Sequence, residues 1–213
     1  MKSVEAESAP KDRAPDEIAL LENQSELVEM GARVLPLLLA SFREAKPEVK
    51  MNLVPVLGAI GGNEALAALR ETLAAKGKTS LKDECAIALG FNGDNAAVER
   101  LVEVAQQRPE FPDRRARALA ALSRYKGNEE LALSLSDLLI DNTPVILSQK
   151  TLHGFWPFRG LDWTVVEVEI RDFAYAALSE MTGRGSYYKF GDGEPARTQA
   201  MHGLRKWICR GPK

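Results

Sequence analysis

The sequence predicts an all-α protein, a right-handed α-solenoid of about five helical hairpins stacked side by side. Three observations predict it. The chain repeats itself, each repeat carries apolar residues at helical spacing, and each repeat has the same glycine-containing turn at the same place.

The repeat is clearest between residues 49 and 140. Val49 to Leu73, Leu81 to Val104 and Arg114 to Leu138 each read as an apolar helix, a short turn and a second apolar helix. The first helix ends in Leu57-Gly58, Leu89-Gly90 or Leu122-Ser123, landmarks 32 and 33 positions apart. The turns Gly62-Asn63, Gly93-Asp94 and Gly127-Asn128 follow at nearly constant distance. In each, glycine lets one helix stop and the Asx residue is suited to cap the next. Leu53, Leu57 and Ile60 share a face, as do Leu66, Leu69 and Leu73. The second unit repeats this with Leu81, Cys85 and Leu89, then Val98, Leu101 and Val102. One such hairpin cannot bury both of its apolar stripes, so neighbours must stack and share them.

Residues 86 to 101, AIALGFNGDNAAVERL, resemble the short HEAT-like repeat of phycobilin lyase subunits and many bacterial scaffold proteins. In that family an Ala-rich helix ends in Leu-Gly, and a Gly-Asp turn leads into a helix carrying Ala-Val and a spaced Leu. The resemblance covers residues 49 to 140 and extends more loosely to both ends. It implies the solenoid fold and is compatible with many unrelated roles. Ankyrin and tetratricopeptide repeats have similar periods. The Thr-Pro-Leu-His of the former is absent, and the Trp and Pro landmarks of the latter fall out of phase.

Residues 1–14 are polar and read as a disordered tail, with a single domain from 15 to 213. Asp16 to Leu27 and Ala32 to Phe42 read as a degenerate hairpin capping the N-terminal end. Pro36 and Pro55 would kink their helices if interior. After the third hairpin the beat breaks at an aromatic-rich insertion, about 142–168, read as a loop or small β-hairpin. Val166 to Ile170 alternates as a strand would, and Pro144 to Leu147 is its candidate partner. Ile170 to Met181 resumes the helical pattern, with Phe173, Ala174, Ala177, Leu178 and Met181 as its stripe. Tyr187, Tyr188 and Phe190 follow in a loop. A last helix, Pro195 to Ile208, carries Met201, Leu204 and Ile208, with Trp207 covering the final face.

Composition narrows the function. Hydrophobic residues make up 45% and charged residues 27%, and 28 basic against 30 acidic side chains leave a net charge of -2. That balance gives no long-range field for nucleic acid or an anionic membrane, although a local basic patch remains open. No run reaches the roughly 18 apolar residues of a spanning helix. Cys85 and Cys209 have no disulfide or metal-knuckle spacing, and a cytoplasmic location is expected. With His153 and His202 as the only histidines, no metal centre or cofactor is expected. A hydroxylase of the deoxyhypusine type has His-Glu pairs on successive helices, and this chain has none. Gly183-Arg184-Gly185-Ser186 fits neither a phosphate loop nor a nucleophile elbow. No set of residues amounts to a catalytic site.

Two groups are candidates for contact with a partner. In the insertion, Phe155, Trp156, Phe158, Arg159 and Trp163 either fold back against the solenoid or stay exposed as a recognition patch. On the third repeat's first helix, Arg114, Arg117 and Arg124 fall in one sector, either a solvated face or a contact for phosphate or an acidic peptide. HEAT-like DNA glycosylases use a concave basic surface but carry a basic balance absent here. The expected function is a non-enzymatic scaffold that binds a protein or peptide on the concave face of its second helices. The alternatives are an accessory lyase-like subunit and a nucleic-acid-binding repair module.

Overall fold

Two rows of helices carry the repeat in the computed structural model, which describes residues 26–107, 111–145, 168–184 and 193–210. A helical turn at residues 26–30 and a 3-10 turn at Gly31–Arg33 lead into α1 (Leu35–Glu44). Four hairpins follow: α2 (Pro47–Ile60) with α3 (Gly62–Ala74), and α4 (Thr79–Phe91) with α5 (Val98–Gln106). Then come α6 (Pro112–Leu122) with α7 (Glu129–Leu135), continued as a 3-10 helix at Ser136–Ile140, and α8 (Ile170–Thr182) with α9 (Glu194–Arg210). The first helices α2, α4, α6 and α8 pack each on the next. Second helices lie beside the first row, α3 against α2 and α4, and α5 against α4 and α6. With α1 closing the N-terminal end, the stack is the expected α-solenoid.

The Leu-Gly landmark has two separate jobs. Leu57, Leu89, Leu122 and Leu178 are each 0% exposed and fill the shared core. The glycine beside them sets the distance between first helices. A Cβ on Gly58 would lie 2.8 Å from the Cβ of Ala88 in α4. One on Gly90 would lie 2.5 Å from Leu101 Cδ1 and 3.0 Å from the Cβ of Ala121 in α6. Such approach excludes any side chain larger than hydrogen. One apolar cluster consequently runs from Leu38 in α1 to Ile208 in α9.

The turns differ from expectation at one repeat. Gly93 and Gly127 take positive φ (73° and 76°), and Asp94 and Asn128 then accept from Ala96 N and Leu131 N as caps. Asn63 does not cap, because Gly61 (φ 66°) makes the turn and α3 already begins at Gly62. These turns also satisfy the orphan carbonyls that end a neighbouring first helix. Asn92 Nδ2 donates to Gly58 O at 2.9 Å, Arg124 Nε to Phe91 O at 3.2 Å, and Gly127 N to Met181 O at 2.7 Å.

Pro36, Pro47 and Pro112 sit in the first turns of α1, α2 and α6, where the missing donor costs nothing. Pro55 alone is interior, in α2. At the break in the repeat, β1 (Pro144–Val145) pairs antiparallel with β2 (Val168–Glu169), Pro144 opposite Glu169 and Val145 opposite Val168. Pairing between these two segments is the expected one, and it is present at these positions. Residues 146–167 lie outside the described residues, as do 1–25.

Urea denaturation tests the close approach at Gly90. Gly90→Ala should destabilise by about 1–3 kcal/mol through overpacking, and Leu89→Ala by about 2–5 kcal/mol through a cavity. Gly203→Ala, in α9 with nothing within 4 Å of the added carbon, should instead stabilise by about 0.5–1 kcal/mol. Equal effects at Gly90 and Gly203 would disprove the close-approach account.

Candidate functional site

The arginine row is not a free basic face. α4 carries Asp83 and Glu84 within an otherwise apolar run, 2% and 6% exposed and turned toward α5 and α6. Asp83 accepts from Arg100 Nε at 2.7 Å and lies 3.4 Å from Arg114 Nη1. Glu84 takes both terminal nitrogens of Arg117, at 3.0 and 2.5 Å, and lies 3.4 Å from Arg114 Nε. Exposed Glu103 pairs with the outer side of Arg100 at 2.5 Å. Three guanidinium groups thus meet three carboxylates in a neutral ladder across α4, α5 and α6. Arg114 also lies over the Phe111 ring, 4.6 Å from its centroid. Arg124 is exposed but holds the Phe91 carbonyl.

Arg115, which the row skipped, is buried at 1% exposure. Its Nε donates to Ala105 O at 2.9 Å and its Nη2 to Asp141 Oδ2 at 2.6 Å. Asp141 is 3% exposed and also accepts from Thr143 N and Oγ1. Burial pushes its carboxyl upward in pKa. The Arg115 and Thr143 hydrogen bonds outweigh that and hold it below the usual carboxylate range. Asp141 O in turn accepts from Arg171 N, and Thr143 O from Ile170 N. Both ends of the insertion are therefore fastened at one buried ion pair. Beyond it, a capping box joins Glu169 and Asp172, and Arg197 of α9 donates to Asp172 at 2.8 Å.

Of the expected site residues, Arg114, Arg117 and Arg124 are placed as above. Phe155, Trp156, Phe158, Arg159 and Trp163 lie outside the described residues, with His153, Tyr187, Tyr188 and Phe190. His202 is exposed on α9. Trp207 is half-buried against the core, with Arg184 over its ring at 4.3 Å. Cys85 is buried and Cys209 exposed; burial, then the nearby Glu84, push the Cys85 thiol up to about 12. Among the described residues no group of three His, Cys, Asp or Glu side chains is arranged to hold a metal ion. Within that set, no helix is long and apolar enough to cross a membrane.

Reading the arginines singly missed their partners. The signal that finds them is opposite charge one repeat apart: Asp83 with Arg114, and Glu84 with Arg117. Arg70 and Asp94, 2.6 Å apart, tie neighbouring hairpins in the same way.

A family model for HEAT repeats matches residues 34–123, from the turn before α1 to the end of α6. Over these residues the chain is a HEAT-like repeat array. Compared with the curated proteins, the chain has no match. HEAT repeats commonly serve as scaffolds for protein interaction; in this HEAT-like stack the charged ladder and the Arg115–Ala105 bond join one hairpin to the next, and the Arg115–Asp141 pair ties α6 to the end of its own hairpin.

Two outcomes check this geometry. The folded Asp141 carboxyl ionises at lower pH than in the unfolded chain, so its stabilisation is complete above the unfolded value. It is lost as pH falls through the folded one. Asp141→Asn should cost about 3–5 kcal/mol near neutral pH, leaving Arg115 buried without a counter-charge. It should also flatten the loss of stability below about pH 4 in acid titrations; an unchanged acid limb would count against the pair. In native protein, iodoacetamide should modify Cys209 readily and Cys85 only on unfolding, as read by mass spectrometry.

Proposed function

We propose that this protein is a non-enzymatic scaffold that binds another protein or a peptide through the face formed by its second helices. On this reading the aromatic residues of the insertion contribute to the same partner contact. The observation that carries this reading is apolar exposure at one place on the second row. Leu133 in α7 and Ile140 at the end of the following 3-10 helix are each 51% exposed, seven positions apart. Ile140 immediately precedes Asp141, where the insertion leaves the stack. Large apolar side chains left in water beside a fastened loop suit a partner contact.

A shared core supports the same reading. Because each hairpin is held by its neighbours, the second row is a pre-formed surface, and binding orders little that is not already ordered. The neutral ladder weighs against nucleic acid at the arginine row, since Arg114 and Arg117 already have carboxylate partners.

The test is affinity capture followed by cross-linking, comparing wild type with Leu133→Asp, Ile140→Asp and Trp156→Ala. The scaffold reading expects the same partner to be lost in the first two variants while helical content and melting are retained. Capture unchanged in all three would overturn it. Unfolding of Trp156→Ala with normal capture by the rest would remove the insertion from the binding face.

A further inference from the structure

On the edge where one hairpin passes to the next, the α1–α2 and α3–α4 connections border a groove of about 380 Å³. Its lining carries five cations, Arg43, Lys50, Lys76, Lys78 and Lys82, against one acid, Glu71. The whole chain has a net charge of -2, so the groove is a local reversal of sign. Lys78 pairs with exposed Glu48. Arg43, Lys76 and Lys82 have no acidic partner among the described residues. Lys50 lies over the Phe42 ring, 5.2 Å from its centroid, and buried Phe42, Ala68 and Leu81 give the groove an apolar floor.

Two helices begin here as well. α2 starts at Pro47 and α4 follows Lys78, and neither first turn has a side-chain cap. The positive ends of their dipoles add to the field of the lysines. Cations that repel one another around an apolar floor are stabilised by an anion between them.

We propose that this groove docks an acidic peptide segment that presents two or more Asp or Glu side chains to Arg43, Lys50, Lys76 and Lys82. A peptide fits better than a nucleic acid because the unpaired basic side chains do not continue along the first row. The next arginines along the first row, Arg114 and Arg117, are neutralised by Asp83 and Glu84, which leaves no continuing track for a phosphate backbone. The volume suits a few side chains, and the apolar floor gives a peptide's methylene groups a surface to cover.

The proposal goes beyond the second-helix scaffold reading and concerns different residues, so either can fail alone. The experiment is fluorescence anisotropy of the full chain with a labelled oligoglutamate peptide, with single-stranded and duplex DNA as competitors. Binding should weaken about tenfold or more in Lys76→Glu/Lys82→Glu, and should fall as salt rises from about 50 to about 300 mM. Lys206→Glu, on α9, should leave it unchanged. Arg43→Gln/Lys76→Gln serves as a second variant should the double reversal lower the melting temperature, and should weaken binding in the same direction. No binding at low salt, binding indifferent to the groove variants, or DNA displacing the peptide more tightly than unlabelled peptide would each overturn the proposal. Partner capture through Leu133 and Ile140 would stand in any of these cases.

Discussion

The first helices of successive hairpins approach closely enough that a glycine of one meets an alanine of the next, and the rest of the structure follows from that distance. Gly58 faces Ala88, and Gly90 faces Ala121. At this separation the intervening side chains are shared rather than owned. Leu89 and Leu101 belong to the core of one hairpin and the wall of the next. The same separation brings Asp83 and Glu84 within reach of arginines one repeat later, and brings the turn of one hairpin to the open carbonyls of its neighbour. A wider row would lose the packing, the ladder and the turn bonds together. Stability in such a stack is a nearest-neighbour quantity.

The repeat could have ended at Ile140, but it is interrupted there and resumed. A break in a solenoid exposes core and leaves two chain ends to be placed. The Arg115–Asp141 pair and the short β1–β2 pairing meet both needs. A buried ion pair is seldom worth more than an apolar substitute, because desolvation opposes the attraction. What it does well is fix a geometry. Asp141 uses its side chain on Arg115 and Thr143 and its carbonyl on Arg171. The exit and the return of the insertion thereby share one anchor inside α6.

Much of the fold was legible because its causes are local and periodic. Leucine at helical spacing, glycine before an Asx residue, and the alternation ending at Ile170 each state a backbone preference within a few residues. Helix α8 was located to within one residue of its observed end. The error at Asn63 is of the same local kind, since two consecutive glycines, Gly61 and Gly62, left the turn's position ambiguous. The charges were harder. Arg114 and Arg117 share a helical sector, which is a property of one helix. Whether that sector meets water or carboxylate depends on α4, 31 and 33 positions earlier. Arg115 carries no local sign of burial at all, because its partner, Asp141, lies 26 positions later at the far end of the same hairpin.

Charge pairing also separates the two edges of the stack. On the edge where first helices end, Asn92, Arg124 and Gly127 tie each turn to a neighbour, and Arg70 and Tyr125 both bond Asp94. That edge is closed by its own hydrogen bonds. On the opposite edge first helices begin, with partial positive charge on their open amides, and the connecting segments supply lysine. The acids that would balance those lysines are committed to the interior: Asp83 and Glu84 to the ladder, Asp94 to the turn. A chain with slightly more acid than base therefore presents a basic groove. The excess positive charge at Lys76 and Lys82 is a consequence of where the carboxylates are used, and it falls on the edge of the N-terminal hairpins where the positive ends of the first helices lie.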